Sequence, residues 1–173
     1  MSPTWSGAVD VRVAPPPSSE AVRTRFRRQG RRETAPELAV RRRLHARGVR
    51  YRVDVRPCRE TRARGDLVWK GRRLVVFLDG CFWHACPACG HQPTANSAWW
   101  AAKLSANVAR DRRTDAVLRS LDWRVMRFWE HEDPDDVADA ICAALGRAAV
   151  GAGHSAQAVT FSAADSQSAS FSR

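Results

Sequence analysis

The chain has 173 residues, and its 29 Lys and Arg against 18 Asp and Glu give a formal charge of +11 and a pI near 11.0. That length supports one ordinary domain rather than several, and a field of one sign makes a polyanion such as nucleic acid the expected partner. No apolar run approaches the roughly 18 to 20 residues that cross a bilayer, and Met1 to Asp10 lacks the basic flank and apolar stretch of a secretory leader, so the expectation is a cytoplasmic protein without a membrane role.

Residues 1–24 hold Pro15-Pro16-Pro17-Ser18-Ser19 and no sustained apolar period, which predicts a disordered arm. The stretch Arg23 to Arg32, with arginine at 23, 25, 27, 28, 31 and 32, serves either as a solvated face or as an arm against phosphates. Thr34-Ala35-Pro36-Glu37 has the form of a capping box with proline in the first turn, and predicts a helix to Arg47 that Gly48 stops, with Leu38, Arg41 and Leu44 to His45 on one face. Tyr51 to Val55 and Leu67 to Trp69 read as short strands, and Lys70-Gly71 as the turn into an apolar strand Leu74 to Leu78. Ser97 to Leu121 has helical spacing, with Trp100, Leu104, Val108 and Asp111 on successive turns. Trp123 to Trp129 is a further strand, and Asp133-Pro134 caps a last helix ending near Leu145. This order predicts an α/β domain over 25–148, a small mixed sheet flanked by helices. From 149 to 173 the chain turns to Ala, Gly, Ser and Gln, the composition of a disordered low-complexity tail.

Of five cysteines, Cys58 and Cys142 stand apart while Cys81, Cys86 and Cys89 cluster, a poor disulfide framework but a good metal loop. Three thiolates need one more ligand for tetrahedral zinc. His131 comes first, because it follows a strand that would lie beside Leu74 to Leu78; His91 is nearest in sequence, and His84 would have to turn from any catalytic task. Four protein ligands close the site, so its zinc would be structural.

Asp66, after Arg64-Gly65, opens a hairpin, and a carboxylate there can hold Mg²⁺ near a phosphate, although such residues are more often plain turn residues. The run Asp79-Gly80-Cys81-Phe82-Trp83-His84, an apolar strand leading straight into aromatics, a histidine and thiols, is seldom demanded by structure alone. With Thr34-x2-Glu37, Gly65-Asp66-Leu67-Val68, Trp100-x2-Lys103, Asn107-x3-Asp111-Arg112-Arg113, Trp123-Arg124-Val125 and Trp129-Glu130, it resembles the very short patch repair (Vsr) endonucleases over roughly 25–132. These are thymine-guanine mismatch nickases with a restriction-endonuclease-like fold.

The resemblance implies that Asp66 holds Mg²⁺ with the main-chain carbonyl of Leu78, while Glu37 holds water bound to the metal. It implies that His84 handles the proton of the attacking water and that Asp111 supports it, leaving a nick with a 5′-phosphate. Phe82, Trp83 and Trp100 match the family's wedge into the base stack, which favours mismatches because unstacking costs least where pairing is poor. Lys103 and Asn107 belong with them as DNA contacts, and the zinc set maps onto Cys81, Cys86, Cys89 and His131. A monomer acting on a T:G mismatch, with a functional link to a cytosine-5 methyltransferase, is the further implication. The chain departs from the family in three places. Gly65 stands where proline is usual, Asp79 stands where some members carry a histidine and offers a second metal-side carboxylate, and the zinc set of three Cys and one His differs from some members.

Two simpler readings stand beside these. Trp123 and Trp129 suit a core, one of Trp99 and Trp100 should face inward, and Arg110, Arg112 and Arg113 are phosphate contacts or an ordinary solvated face. The competing functions are a restriction-type endonuclease of the same fold that needs no mismatch, and a zinc-stabilised DNA-binding protein without catalysis.

Overall fold

The computed structural model describes residues 10–21, 23–24, 33–90 and 93–147. The tail 149–173, most of the basic stretch and His91 therefore lie outside the described residues. The elements run α1 (Ala35–Ala46), β1 (Arg52–Val55), β2 (Gly65–Trp69), a 3₁₀ turn (Lys70–Arg72), β3 (Leu74–Asp79), α2 (Ser97–Ser120), β4 (Arg124–Trp129) and α3 (Pro134–Ala144).

Helices α1, α2 and α3 end on the same device. In α1, Gly48 takes φ +68°, its N–H reaches the His45 carbonyl at 2.9 Å, and the Val49 N–H reaches Leu44 at 2.9 Å. That is a Schellman closure, with Val49 and Leu44 both buried across it. Gly146 repeats it after α3, while after α2 the left-handed place is held by Asp122 at φ +58°. The start of α1 differs from the capping box expected. The Glu37 carboxylate turns back to accept from the Thr34 hydroxyl and the Glu33 N–H, both at 2.9 Å, and Thr34 makes no side-chain cap.

The sheet order is β1-β2-β3-β4. The first three strands are antiparallel neighbours, and β4 joins β3 in parallel, Leu74 opposite Arg124 through Asp79 opposite Trp129. A parallel pair needs a long crossover, and the metal loop plus α2 supplies it. Alternation along the strands sends Leu67, Val76, Leu78, Met126 and Phe128 to the face under α1 and α3, with Val40, Leu44, Val137 and Ile141. Val68, Val75 and Phe77 go to the face under α2, with Leu118 and Trp123.

Two sequence expectations shift here. The inward residues of α1 are Val40 and Leu44, whereas Leu38, Arg41 and His45 line an open groove with Tyr51. In α2 the buried positions are Leu104, Asn107, Asp115 and Leu118, so Asn107 rather than Val108 continues the inner stripe. Gly65 is explained by space: a Cβ there would run into the Val75 and Val68 side chains. Proline would meet the same walls. No helix among the described residues is long and apolar enough to cross a membrane.

Candidate active site and metal centre

Parallel pairing carries the ends of β3 and β4 out of the sheet side by side. Asp79 lies opposite Trp129, the Glu130 N–H reaches the Asp79 carbonyl at 3.0 Å, and the same offset brings Cys81 to His131. Their Sγ and Nδ1 atoms are 3.0 Å apart, with Cys89 at 3.3 Å and Cys86 at 3.8 Å from that nitrogen, and 3.5 Å between the Cys86 and Cys89 sulfurs. All four ligand atoms fall within 4.8 Å of one another. Tetrahedral zinc, with bonds of about 2.3 Å to sulfur and about 2.0 Å to nitrogen, sets its ligand atoms about 3.5–3.8 Å apart, so the group fits that ion.

The thiols also need a cation. Burial and the two neighbouring thiols push Cys81 well above the usual thiol range. Burial raises Cys86 too, but hydrogen bonds from the Cys89 and Ala88 backbone outweigh it and bring it below the ordinary value, which suits a thiolate ligand. The loop is held by Glu130, whose carboxylate accepts from the Cys81 N–H at 2.7 Å, and by Gly90, where a Cβ would strike the Cys86 backbone. His84 turns away from this centre.

On the other side of the same loop, the His84 Nδ1 donates to Asp111 Oδ2 at 2.7 Å and lies 3.5 Å from Asp79 Oδ1. A carboxylate only accepts, so the proton sits on Nδ1 and Nε2 is left as the basic nitrogen. Burial alone would lower the His84 pKa, but the Asp111 bond and the charge of Asp79 outweigh it and hold it above the ordinary imidazole value. Asp111 answers in the opposite sense. Burial would raise it, and the His84 bond with the nearby Arg127 and Arg110 holds it low. Between His84 and Cys86, Ala85 takes φ +55°, a left-handed strain where imidazole and thiolate are aimed to different sides.

Asp66 is the second residue of β2. Antiparallel pairing brings it to the end of β3, where Oδ2 accepts from the Leu78 N–H at 2.8 Å. Burial pushes its pKa up to about 6, Glu37, Asp79 and Asp54 push the same way, and the Leu78 N–H partly offsets them. Carboxylates gathered in a half-buried site repel, and a divalent cation relieves that repulsion, so the donor set fits Mg²⁺. Asp66 from β2 and His84 from the loop thus meet adjacent residues at the end of β3, Leu78 and Asp79.

The aromatics form one cluster. Phe82 meets Trp83 and Trp100 at 5.1 Å each, Trp83 meets Trp100 at 5.9 Å, and Trp99 meets Trp100 at 4.8 Å. Phe82, Trp83 and Trp100 are all partly exposed, and Trp123 is a core residue. Arg110, Arg112 and Arg113 are exposed on α2 and Lys103 is half-buried. Asn107 is 6% exposed; its Nδ2 donates to the Trp83 carbonyl at 3.0 Å and its Oδ1 accepts from Arg110 at 3.1 Å.

Two residues escaped the sequence reading, Arg127 and Asp115. Arg127 binds both oxygens of Asp79 at 2.8–2.9 Å and Asp115 at 3.0 Å, while Glu130, just after β4, supports the loop through the Cys81 N–H. An arginine centred in a strand apolar on both sides was the available signal for the first. Asp79 is engaged by Arg127 and His84, beside Asp66.

Comparisons with known proteins agree with this geometry. The family model described as DNA mismatch endonuclease Vsr matches residues 19–89. Type II nicking enzyme V.NaeI of Lentzea aerocolonigenes is 43% identical over 129 residues, 73% of this chain and 78% of its own. Type II nicking enzyme V.XorIIP of Xanthomonas oryzae is 41% identical over 104 residues, 59% and 74% of the two chains. DNA mismatch endonuclease Vsr of Escherichia coli is 35% identical over 100 residues, 57% and 62%. With its mixed α/β core and a three-cysteine, one-histidine group suited to zinc, the chain belongs to the Vsr family of restriction-endonuclease-like DNA endonucleases.

Proposed function

We propose that the protein nicks one strand of duplex DNA beside a T:G mismatch by Mg²⁺-dependent hydrolysis, within an endonuclease domain over 25–148 bounded by arms 1–24 and 149–173. The observation that carries this reading is that the end of β3 holds both Asp66, bonded to the Leu78 N–H at 2.8 Å, and a His84–Asp111 pair at 2.7 Å that lies 3.5 Å from Asp79. The aromatic cluster of Phe82, Trp83 and Trp100 lies on the same loop and helix.

Asp66 and the main-chain carbonyl of Leu78 would hold Mg²⁺, with Glu37 holding water bound to it; bound there, the ion would neutralise phosphate charge and help position the nucleophile. His84 takes the proton of the attacking water on Nε2, since Nδ1 already carries one. Asp111 keeps the ring in that tautomer and stabilises the cation that forms. Phe82, Trp83 and Trp100 enter the stack where a mismatch has already weakened it. Lys103, Arg110, Arg112 and Arg113 meet phosphates. Asn107, beside them on α2, also holds the Trp83 carbonyl. Zinc on Cys81, Cys86, Cys89 and His131 holds the loop that carries both His84 and the wedge. One active site suffices for one nick, which fits a monomer. A T:G substrate arises by deamination of 5-methylcytosine, which links the enzyme to a cytosine-5 methyltransferase.

A second reading is favoured by one observation: relatives 43% and 41% identical carry the name type II nicking enzyme, with no mismatch in it. The test incubates the protein and Mg²⁺ with labelled duplexes that are matched or carry one T:G pair, with Asp66→Ala as control. Nicking confined to the T:G duplex is expected. Equal cleavage of matched DNA would favour the second reading, and binding without any nick would leave only a zinc-stabilised DNA-binding protein.

A further inference from the structure

The α2 side of the sheet holds an ionic cluster larger than the reaction above uses. Register sets Arg127 opposite Phe77, and the guanidinium lies 4.4 Å from the Phe77 ring centroid. Its Nη1 reaches Asp79 Oδ1 and Oδ2 at 2.9 and 2.8 Å, its Nε reaches Asp115 Oδ1 at 3.0 Å, and its Nη2 lies 3.9 Å from Asp111 Oδ1. Of these three carboxylates, Asp79 and Asp111 also face the His84 Nδ1, at 3.5 and 2.7 Å. The Arg127 side chain is 22% exposed and the carboxylates 10 to 18%.

Two carboxylates within reach of one N–H offer the imidazole ring two orientations, and their mutual repulsion in a half-buried site would spread them apart. A guanidinium is a planar fork with donors in fixed directions, so one arginine can hold several carboxylates in a set relation, while an aromatic ring beneath fixes its plane. Here the fork takes both oxygens of Asp79. Asp111 Oδ2 is then the nearest acceptor for His84, with Arg127 beside its other oxygen.

We infer that Arg127 is a positioning residue for the nicking reaction: by clamping Asp79 it leaves Asp111 as the hydrogen-bond acceptor of His84 and so fixes the ring with Nε2 as its working nitrogen. The inference rests on the reaction proposed above. A lysine keeps the charge but is a point donor, and cannot hold Asp79 and Asp115 together.

The experiment measures single-turnover nicking at saturating T:G duplex, duplex affinity separately, and the ¹⁵N spectrum of the His84 ring, in the full chain and in Arg127→Lys and Arg127→Ala. Arg127→Ala should nick about 100-fold more slowly and recover part of the rate when methylguanidinium is added, the size expected when a proton-transfer group loses its alignment. Arg127→Lys should stay folded and nick about 10-fold more slowly with affinity within about threefold of the parent. Its His84 spectrum should change from one Nδ1–H form to an exchanging mixture. Where Arg127→Ala fails to fold, Arg127→Lys decides. A folded Arg127→Lys that nicks at the parental rate, or a slowed one whose His84 ring keeps its single form, overturns the inference while leaving the nicking reaction intact. A parent chain that nicks neither the T:G nor the matched duplex overturns both.

Discussion

The two faces of the sheet differ in what they hold. Under α1 and α3, Val40, Leu44, Leu67, Val76, Val137 and Ile141 are apolar and at most 2% exposed. Under α2 the face begins in the same way with Val68, Val75 and Leu118. It then turns ionic toward the strand ends, where Asp79 and Arg127 meet Asp111 and Asp115 from the helix. Burial disfavours charge, so a face of that kind lowers stability unless something else supplies it. The apolar face is that supply, and the strand ends of the other face are where His84, Asp79, Asp111, Asp115 and Arg127 gather. The apolar packing and the charge network are separated by the thickness of one sheet.

The sharpest way to break this contrast is Asp66→Asn. Nicking should fall by about 10³-fold or more when the metal-side carboxylate is lost, read in single-turnover assays. The fold should become more stable at the same time, because Asp66 carries a pKa of about 6 against 3.8 for a free carboxyl. The sign follows from proton uptake: between those two values the folded chain binds more protons than the unfolded one, so stability falls as pH rises through that window and stays lowered above about 6. Urea melts at pH 8 should show Asp66→Asn ahead by about 1–2 kcal/mol, with the gap closing near pH 4. A variant less stable at pH 8 would contradict the reading of that face.

Next in size is the metal loop, which hangs from the ends of β3 and β4. His131→Ala should lower bound zinc from one per chain to none by metal analysis and Tm by about 10 °C or more. One tightly held zinc in that variant would move the fourth ligand elsewhere. Leu44→Ala, on the apolar face, should cost about 2–5 kcal/mol in denaturant unfolding. Nicking per folded molecule should stay unchanged; a drop in that rate would mean that the two faces are not independent. The smallest change sharpens the picture at a helix end. Asp122→Gly relieves a left-handed residue and gives up only an exposed contact with Arg73 at 3.2 Å, so thermal melts should show a gain of about 0.5–1 kcal/mol.

Elements with strong local signals were legible from the residues. Thr34-Ala35-Pro36-Glu37 and Gly48 bracket α1 to within a residue, and Asp133-Pro134 opens α3 with the Asp133 side chain accepting from the Asp135 N–H at 2.7 Å. Caps and turns depend on neighbours a few residues away, which a sequence displays directly. Cys81, Cys86 and Cys89 announced a metal loop for the same reason. The inner stripe of α2 was less legible, because Asn107, Asp111 and Asp115 are polar on the buried side and blur the helical period.

The sequence by itself determined the order of helices and strands, the metal loop, and through family resemblance the set of residues worth watching: Glu37, Asp66, His84 and Asp111. Tertiary structure decided which of them meet. Parallel pairing of β3 with β4 brings His131 to Cys81 fifty positions away, and antiparallel pairing brings Asp66 to Leu78. The same packing set Asn107 against the Trp83 carbonyl and Arg127 among three carboxylates. Contacts of that length are set by sheet register and side-chain charge together, and no local pattern encodes a register between strands separated by a 24-residue helix.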